Sequence, residues 1–197
     1  AKRRKTKQRT ARENITDLVD FIPIGGGLDG PGNIPKATNN IYNIELSMPL
    51  DRLGWDGGTF KPSLIWKDAA VPDPVTGEIR QISNQQDRKL VFNFLQDIPD
   101  WHSSVTLTMQ TAFKRPNFRI AQVNAIQLRP FYVELDWDYK PQPDLRLQIK
   151  LQNFVPYQYD LTQFNYAGPR NLSPLASYQL EHNHSEARVF LQLRKTF

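Results

Sequence analysis

Apolar and polar residues alternate along much of the chain. From Phe131 to Tyr139, the apolar positions Phe131, Val133, Leu135, Trp137 and Tyr139 are separated by Tyr132, Glu134, Asp136 and Asp138. Asp144 to Gln152 repeats the pattern, with Leu145, Leu147, Ile149 and Leu151 set against Arg146, Gln148, Lys150 and Gln152. A period of two means a strand with one apolar and one polar face. The stretches 41–50 (Tyr42, Ile44, Leu46, Met48), 59–68, 88–96 and 103–113 alternate in the same way. In the last eleven residues, Val189, Leu191, Leu193 and Phe197 share one side; Gln192, Arg194 and Thr196 share the other with Phe190. With a weaker candidate at 14–24, the pattern predicts about eight strands and no convincing amphipathic helix.

The connections are expected to alternate in length. Long ones fall near 25–40, 69–87, 114–130 and 153–186; short ones fall near 51–58, 97–102 and 140–143, all on the side of the C-terminus. An up-and-down barrel in an outer membrane has short periplasmic turns and long extracellular loops. A soluble sandwich has no reason to sort its loops in this way. If the hairpin at Pro141 to Pro143 folds about Gln142, Asp138 faces Arg146, Glu134 faces Lys150 and Asp136 faces Gln148. Trp137 then faces Leu147 and Leu135 faces Ile149, so charges pair on one face and apolar groups on the other.

Hydrophobic residues make up 39% of the chain and mean hydropathy is −0.57. No run of about 18 apolar residues exists, which excludes a membrane-spanning helix but not a barrel, whose outer face uses only alternate residues. The absence of cysteine removes disulfides, thiolate metal sites and cysteine nucleophiles. The net charge of +5 owes much to Lys2, Arg3, Arg4, Lys5, Lys7, Arg9 and Arg12. No stacking aromatics are interleaved with these cations, so they read as solvated, frayed chain or the remnant of a preceding strand, not as a nucleic-acid site. The expected division is a basic start at 1–13 and a single β unit at 14–197.

Candidate chemistry is sparse. His182-Asn183-His184 could hold a metal but has no carboxylate cluster to complete a site. Glu134, Asp136 and Asp138 could suggest a glycosidase pair or a cation site; facing Arg146 and Lys150, they read more simply as a paired inner wall. No G-x-S-x-G motif is present. Gly25, Gly27 and Gly30 fit a dinucleotide fingerprint only formally, since no helix follows. Trp66, Trp101, Trp137 and Tyr139 suit a membrane-interface girdle better than a ligand platform. The long connections carry Asp29, Arg80, Arg170, His182 and His184, which do not name a ligand. No cofactor and no enzymatic activity are expected.

The terminal strand ending on Phe197 resembles the C-terminal strand of bacterial outer-membrane barrels. Asp17 to Gly27 (DLVDFIPIGGG), Leu50 to Gly54 (LDRLG), Asp73 to Gly77 (DPVTG), Tyr166 to Pro174 (YAGPRNLSP) and Val189 to Phe197 together resemble the C-terminal part of the barrel of TonB-dependent outer-membrane receptors. The resemblance covers most of residues 14–197 and implies an all-β, antiparallel, up-and-down transmembrane segment of a larger barrel. It implies a bacterial outer-membrane location and energy-coupled uptake of a scarce solute of the siderophore-iron, haem, vitamin or glycan class. The implied partners are outer-membrane lipid and the barrel-assembly machinery, the latter through Val189, Leu191, Leu193 and Phe197. The rest of the barrel, the plug and, through the plug, TonB would also be partners; plug and TonB box are not found here. Phe131, Val133, Leu135, Trp137, Leu145, Leu147, Ile149 and Leu151 are expected to face lipid. Glu134, Asp136, Asp138, Arg146 and Lys150 are expected to face the lumen. The alternatives are a complete small eight-stranded barrel with a structural or adhesion role, and a soluble β-sandwich or lipocalin-like module.

Overall fold

The computed structural model describes residues 5–111, 113–129 and 131–196. It is all-β and antiparallel. Among the described residues thirteen strands form: β1 (Lys5–Gly25), β2 (Leu28–Pro49), β3 (Gly58–Pro72), β4 (Ile79–Arg80), β5 (Arg88–Ile98), β6 (Ser103–Thr111), β7 (Lys114–Phe118), β8 (Gln122–Arg129), β9 (Phe131–Gln142), β10 (Leu145–Gln152), β11 (Tyr157–Tyr166), β12 (Leu175–Ser185) and β13 (Arg188–Lys195). The main sheet runs β1-β2-β3-β5-β6-β9-β10-β13, with β4 beside β3, and the smaller sheet runs β12-β11-β8-β7. Each strand of the main path pairs with its neighbour in antiparallel fashion. Among the described residues the main sheet does not close, and β1 and β13 stand at its two ends.

The two faces can be followed residue by residue across the sheet. One row of directly opposed residues reads Met48, Phe60, Phe94, Leu107, Leu135, Leu151, Val189, and all seven are apolar. A nearby row on the opposite face reads Lys61, Asn93, Thr108, Glu134, Gln152, Arg188, and all six are polar. Strand pleating at a strict period of two keeps these rows apart.

Ordinary globular packing is missing among the described residues. Buried apolar residues are few: Ile34, Ala37, Ala69, Val71, Ala125 and Val133. Of these, only Val133 belongs to the long apolar face. The accessible surface is 12800 Å², against about 9,600 Å² expected of a compact protein of this mass. The small cluster of Ile34, Ala37 and Val71, flanked by Ile15, Leu18, Ile22 and Ile82, lies between β1, β2, β3 and the segment after β4.

Several expectations need correction. The stretches 25–40, 114–130 and 153–186 are mostly strand and not loop: β1 and β2 pair from Lys5 opposite Ser47 to Gly25 opposite Leu28. Backbone pairing needs no apolar side chains, so polar hairpin ends carry no alternation signal. The turn between β1 and β2 is Gly26-Gly27, with φ of +63° and +75°, a left-handed pair that glycine adopts without cost. The boundary placed after residue 13 has no structural counterpart, because β1 runs through it. Among the described residues the strands number thirteen where about eight are expected: eight form the main path, and β4, β7, β8, β11 and β12 arise in stretches expected to be loops.

The β9–β10 register also differs from the expectation. Tyr139 faces Leu147, Trp137 faces Ile149 and Leu135 faces Leu151, after an irregularity between Leu145 and Leu147. The shift is two residues, an even number, so each residue keeps its expected face. The ion pairs survive on the diagonal: Arg146 Nε bonds Asp138 and Lys150 Nζ lies 3.1 Å from Glu134.

Candidate functional site

Three surfaces are built on this sheet. The apolar face is the first. Phe131, Val133, Leu135, Trp137, Leu145, Leu147, Ile149 and Leu151 lie on it together with the side chains of β2, β3, β5 and β6. Its apolar stretch on β9 runs from Phe131 to Tyr139, about 26 Å at the rise of a strand. Aromatic rings mark both ends of the band. Tyr42 and Trp66 touch at 5.8 Å toward the β1–β2 turn, and both are exposed. Trp137 stacks on Tyr139 at 5.7 Å and Trp55 meets Phe94 at 5.0 Å toward the short turns. Trp101 lies in the 3-10 turn Pro99–Trp101 and is exposed. Val189, Leu191 and Leu193 lie on the same face of the end strand β13, each about 70% exposed. Phe197 lies outside the described residues.

The second surface is the polar face. Lys150 Nζ sits 3.1 Å from Glu134 and 3.3 Å from Asp136. Glu134 also accepts from Gln152 Nε2 at 2.6 Å and from the Tyr132 hydroxyl. Thr108 donates to Asn93 across the β5–β6 pair at 2.8 Å. This face holds a hollow of about 760 Å³ over β1, β2, β3 and β5 and smaller ones beside His102 and between Arg146 and Arg194. The sheet therefore curves with its polar side inward.

The third surface lies at the end of the sheet opposite the short turns and was not foreseen as a unit. Arg80 donates through Nε to Asp73 at 2.8 Å and through Nη1 and Nη2 to Asp20 at 3.0 Å. Arg170 donates twice from Nη2 to Asp73, at 2.9 and 2.7 Å. The side chains of Arg80, Asp20, Asp73 and Arg170 are all more than 90% buried. Arg119 forms a fork with Asp29 at 2.8 and 2.6 Å, and Ile120 N–H adds a third bond to the same carboxylate at 2.8 Å. Phe118 lies under Arg80 at 4.6 Å and Phe21 under Arg119 at 3.8 Å, cation–π contacts that suit flat guanidinium groups.

This clasp joins four hairpin ends. The β1–β2 end meets the β7–β8 end through Asp29 and Arg119. The β3–β4 end meets the β11–β12 end through Asp73 and Arg170. The Asp73 carboxylate also caps the DPVTG turn, accepting from Val75 N–H at 2.8 Å and Thr76 N–H at 3.1 Å. Burial pushes the Asp73 pKa up, but Arg170 and the two N–H groups outweigh it and hold the carboxyl below its ordinary range. Asp29 is held low first by the Arg119 fork, against a smaller burial effect. Asp29, Arg80 and Arg170 stood in the sequence as isolated loop charges. Their partners were visible only in that DLVDF, DPVTG and GPR are among the stretches that carry the resemblance.

His182 faces Asp160 across β11–β12, with Nδ1 and Oδ1 2.7 Å apart, and His184 approaches Gln158. Among the described residues no group of three or more His, Cys, Asp or Glu gathers to hold a metal. No described helix is long and apolar enough to cross a membrane, which says nothing of crossing by strands. Comparison with family models, curated proteins and solved structures finds no match to this chain.

Proposed function

We propose that this chain is a sector of the wall of a transmembrane β-barrel in a bacterial outer membrane. We assign it to the C-terminal portion of a receptor of the TonB-dependent kind that takes up a scarce solute of the siderophore-iron, haem, vitamin or glycan class. The observation that carries the membrane reading is the apolar row from Met48 to Val189, continuous over seven neighbouring strands. Among the described residues no second layer is stacked on that face. The strands of the smaller sheet alternate in sequence with β6, β9, β10 and β13, and its main strand contact with the larger sheet is end to end, β8 against β9. Exposed apolar area of this extent demands a cover, and lipid fits a band about 25 Å tall rimmed by aromatics. The two open sheet ends are the places where further strands of a larger barrel would pair. The uptake role rests on the sequence resemblance.

The membrane reading is tested by adding the urea-unfolded chain to phospholipid vesicles and following single-tryptophan variants. Trp66 and Trp137, at the two rims of the apolar band, should each be quenched most by bromine near the headgroups, and a tryptophan introduced as Leu107→Trp by bromine deep in the acyl chains. A chain that stays in the aqueous phase as a folded monomer overturns the reading. The uptake role is tested by deleting the coding segment in the producing organism. Energy-dependent uptake of ferric siderophores, haem, cobalamin and oligosaccharides is then measured. Loss of one identifies the solute class, and retention of all overturns the transport role.

A further inference from the structure

The concave polar face divides into two halves of different charge balance. Over β9 and β10 the charges neutralise one another, since Arg146 and Lys150 are matched by Glu134, Asp136 and Asp138. Over β1, β2, β3 and β5 they do not. By register this half, outside the clasp, carries Lys5, Lys7, Arg9, Lys61, Lys67 and Lys89 on the polar side against the three carboxylates Glu13, Glu45 and Asp97. Glu45, the carboxylate beside the hollow, is already engaged, by Lys7 at 4.0 Å and by Asn43 Nδ2 at 3.2 Å, and Glu13 accepts from Asn39 Nδ2 at 3.1 Å. No described carboxylate pairs with Lys5 or Lys61.

The excess charge surrounds a built hollow. Lys5, Lys7 and Lys61 line the cavity of about 760 Å³ with Ser47, Ser63 and Asn93. The Asn93 carbonyl oxygen is occupied by Thr108, so the group this side chain offers to the cavity is its NH₂ donor. Three ammonium groups, two hydroxyls and one amide donor, against the one carboxylate of Glu45, thus line a space of the size that holds small molecules. We propose that this hollow binds a small, multiply charged anion carrying phosphate or carboxylate groups. Uncompensated cations on a concave wall focus a positive potential and concentrate anions there. Lysine acts as a point charge, and no guanidinium fork lines the cavity to impose a bidentate geometry. Selection should therefore follow charge number more than shape.

The place of such a site in an uptake path rests on reading the concave face as a lumen wall; the binding itself does not. The test is calorimetric titration of the folded full chain in detergent micelles with tripolyphosphate, citrate and acetate at low salt. Tripolyphosphate is expected to saturate one site, citrate to bind more weakly and acetate not at all. The variant K7Q/K61Q should weaken tripolyphosphate at least tenfold, while K36Q, outside the hollow, should leave it unchanged. Circular dichroism confirms that each variant keeps its strands. Tighter binding of citrate than of tripolyphosphate would assign a carboxylate-selective site and overturn selection by charge. Absence of saturation, or equal weakening by K36Q, overturns the site itself. Vesicle insertion of the same preparation separates failure of this site from failure of the membrane reading.

Discussion

Arg170 and Asp73 are 97 positions apart in the chain and are joined by two hydrogen bonds, at 2.9 and 2.7 Å. Asp73 holds a second guanidinium, that of Arg80, whose remaining nitrogens reach Asp20 sixty positions away. One carboxylate thus ties the β3–β4 end to the β11–β12 end and, through Arg80, to β1.

Removing this carboxylate should be costly. Asp73→Ala leaves two buried guanidinium groups without their shared partner and uncaps the DPVTG turn. Breaking a buried ion pair from one side costs about 3–5 kcal/mol. The expected outcome is a drop of about 3 kcal/mol or more in urea unfolding, with early proteolysis at residues 73–87. Asp29→Ala should cost less, because the Arg119 side chain is 39% exposed and recovers water.

Acid should open the same end of the sheet. Asp29 and Asp73 have folded-state pKa values below the ordinary 3.8. A depressed carboxyl contributes stability that is fully present above its unfolded value and is lost as pH falls through the folded one. The clasp should hold from neutral pH down to about pH 4 and release below it. Hydrogen exchange at Val75, Thr76 and Ile120, whose N–H groups bond these carboxylates, should accelerate in that window. Unchanged protection at pH 2 would count against the clasp.

The two faces of the sheet should respond differently to charge. Leu107→Arg puts a guanidinium in the middle of the apolar row and should cost about 2–4 kcal/mol of folding stability in vesicles. Thr106→Arg, one residue away on the polar face, should cost much less. Equal penalties would remove the distinction between the faces.

The β9–β10 register can be read chemically, since the chain has no cysteine of its own. The pair Leu135→Cys with Leu151→Cys should cross-link faster than Leu135→Cys with Ile149→Cys. The reverse order would restore the register centred on Gln142.

Sequence alternation alone determined which residues form the long strands of the main sheet and which side each side chain takes, because a period of two is a local property of extended backbone. It placed Glu134, Asp136, Asp138, Arg146 and Lys150 on one side and Leu135, Trp137 and Ile149 on the other without any knowledge of neighbours. It was silent on the polar hairpin ends, where backbone hydrogen bonds hold β1 to β2 and β11 to β12 with no apolar stripe to betray them. It missed the β9–β10 register by two residues, since an even shift leaves the alternation unchanged and only the irregularity beside Leu145 sets it. Tertiary structure alone decided the clasp. Asp20, Asp29, Asp73, Arg80, Arg119 and Arg170 come from four separate hairpin ends, and which carboxylate meets which guanidinium depends on strand order and on how those hairpin ends are brought together.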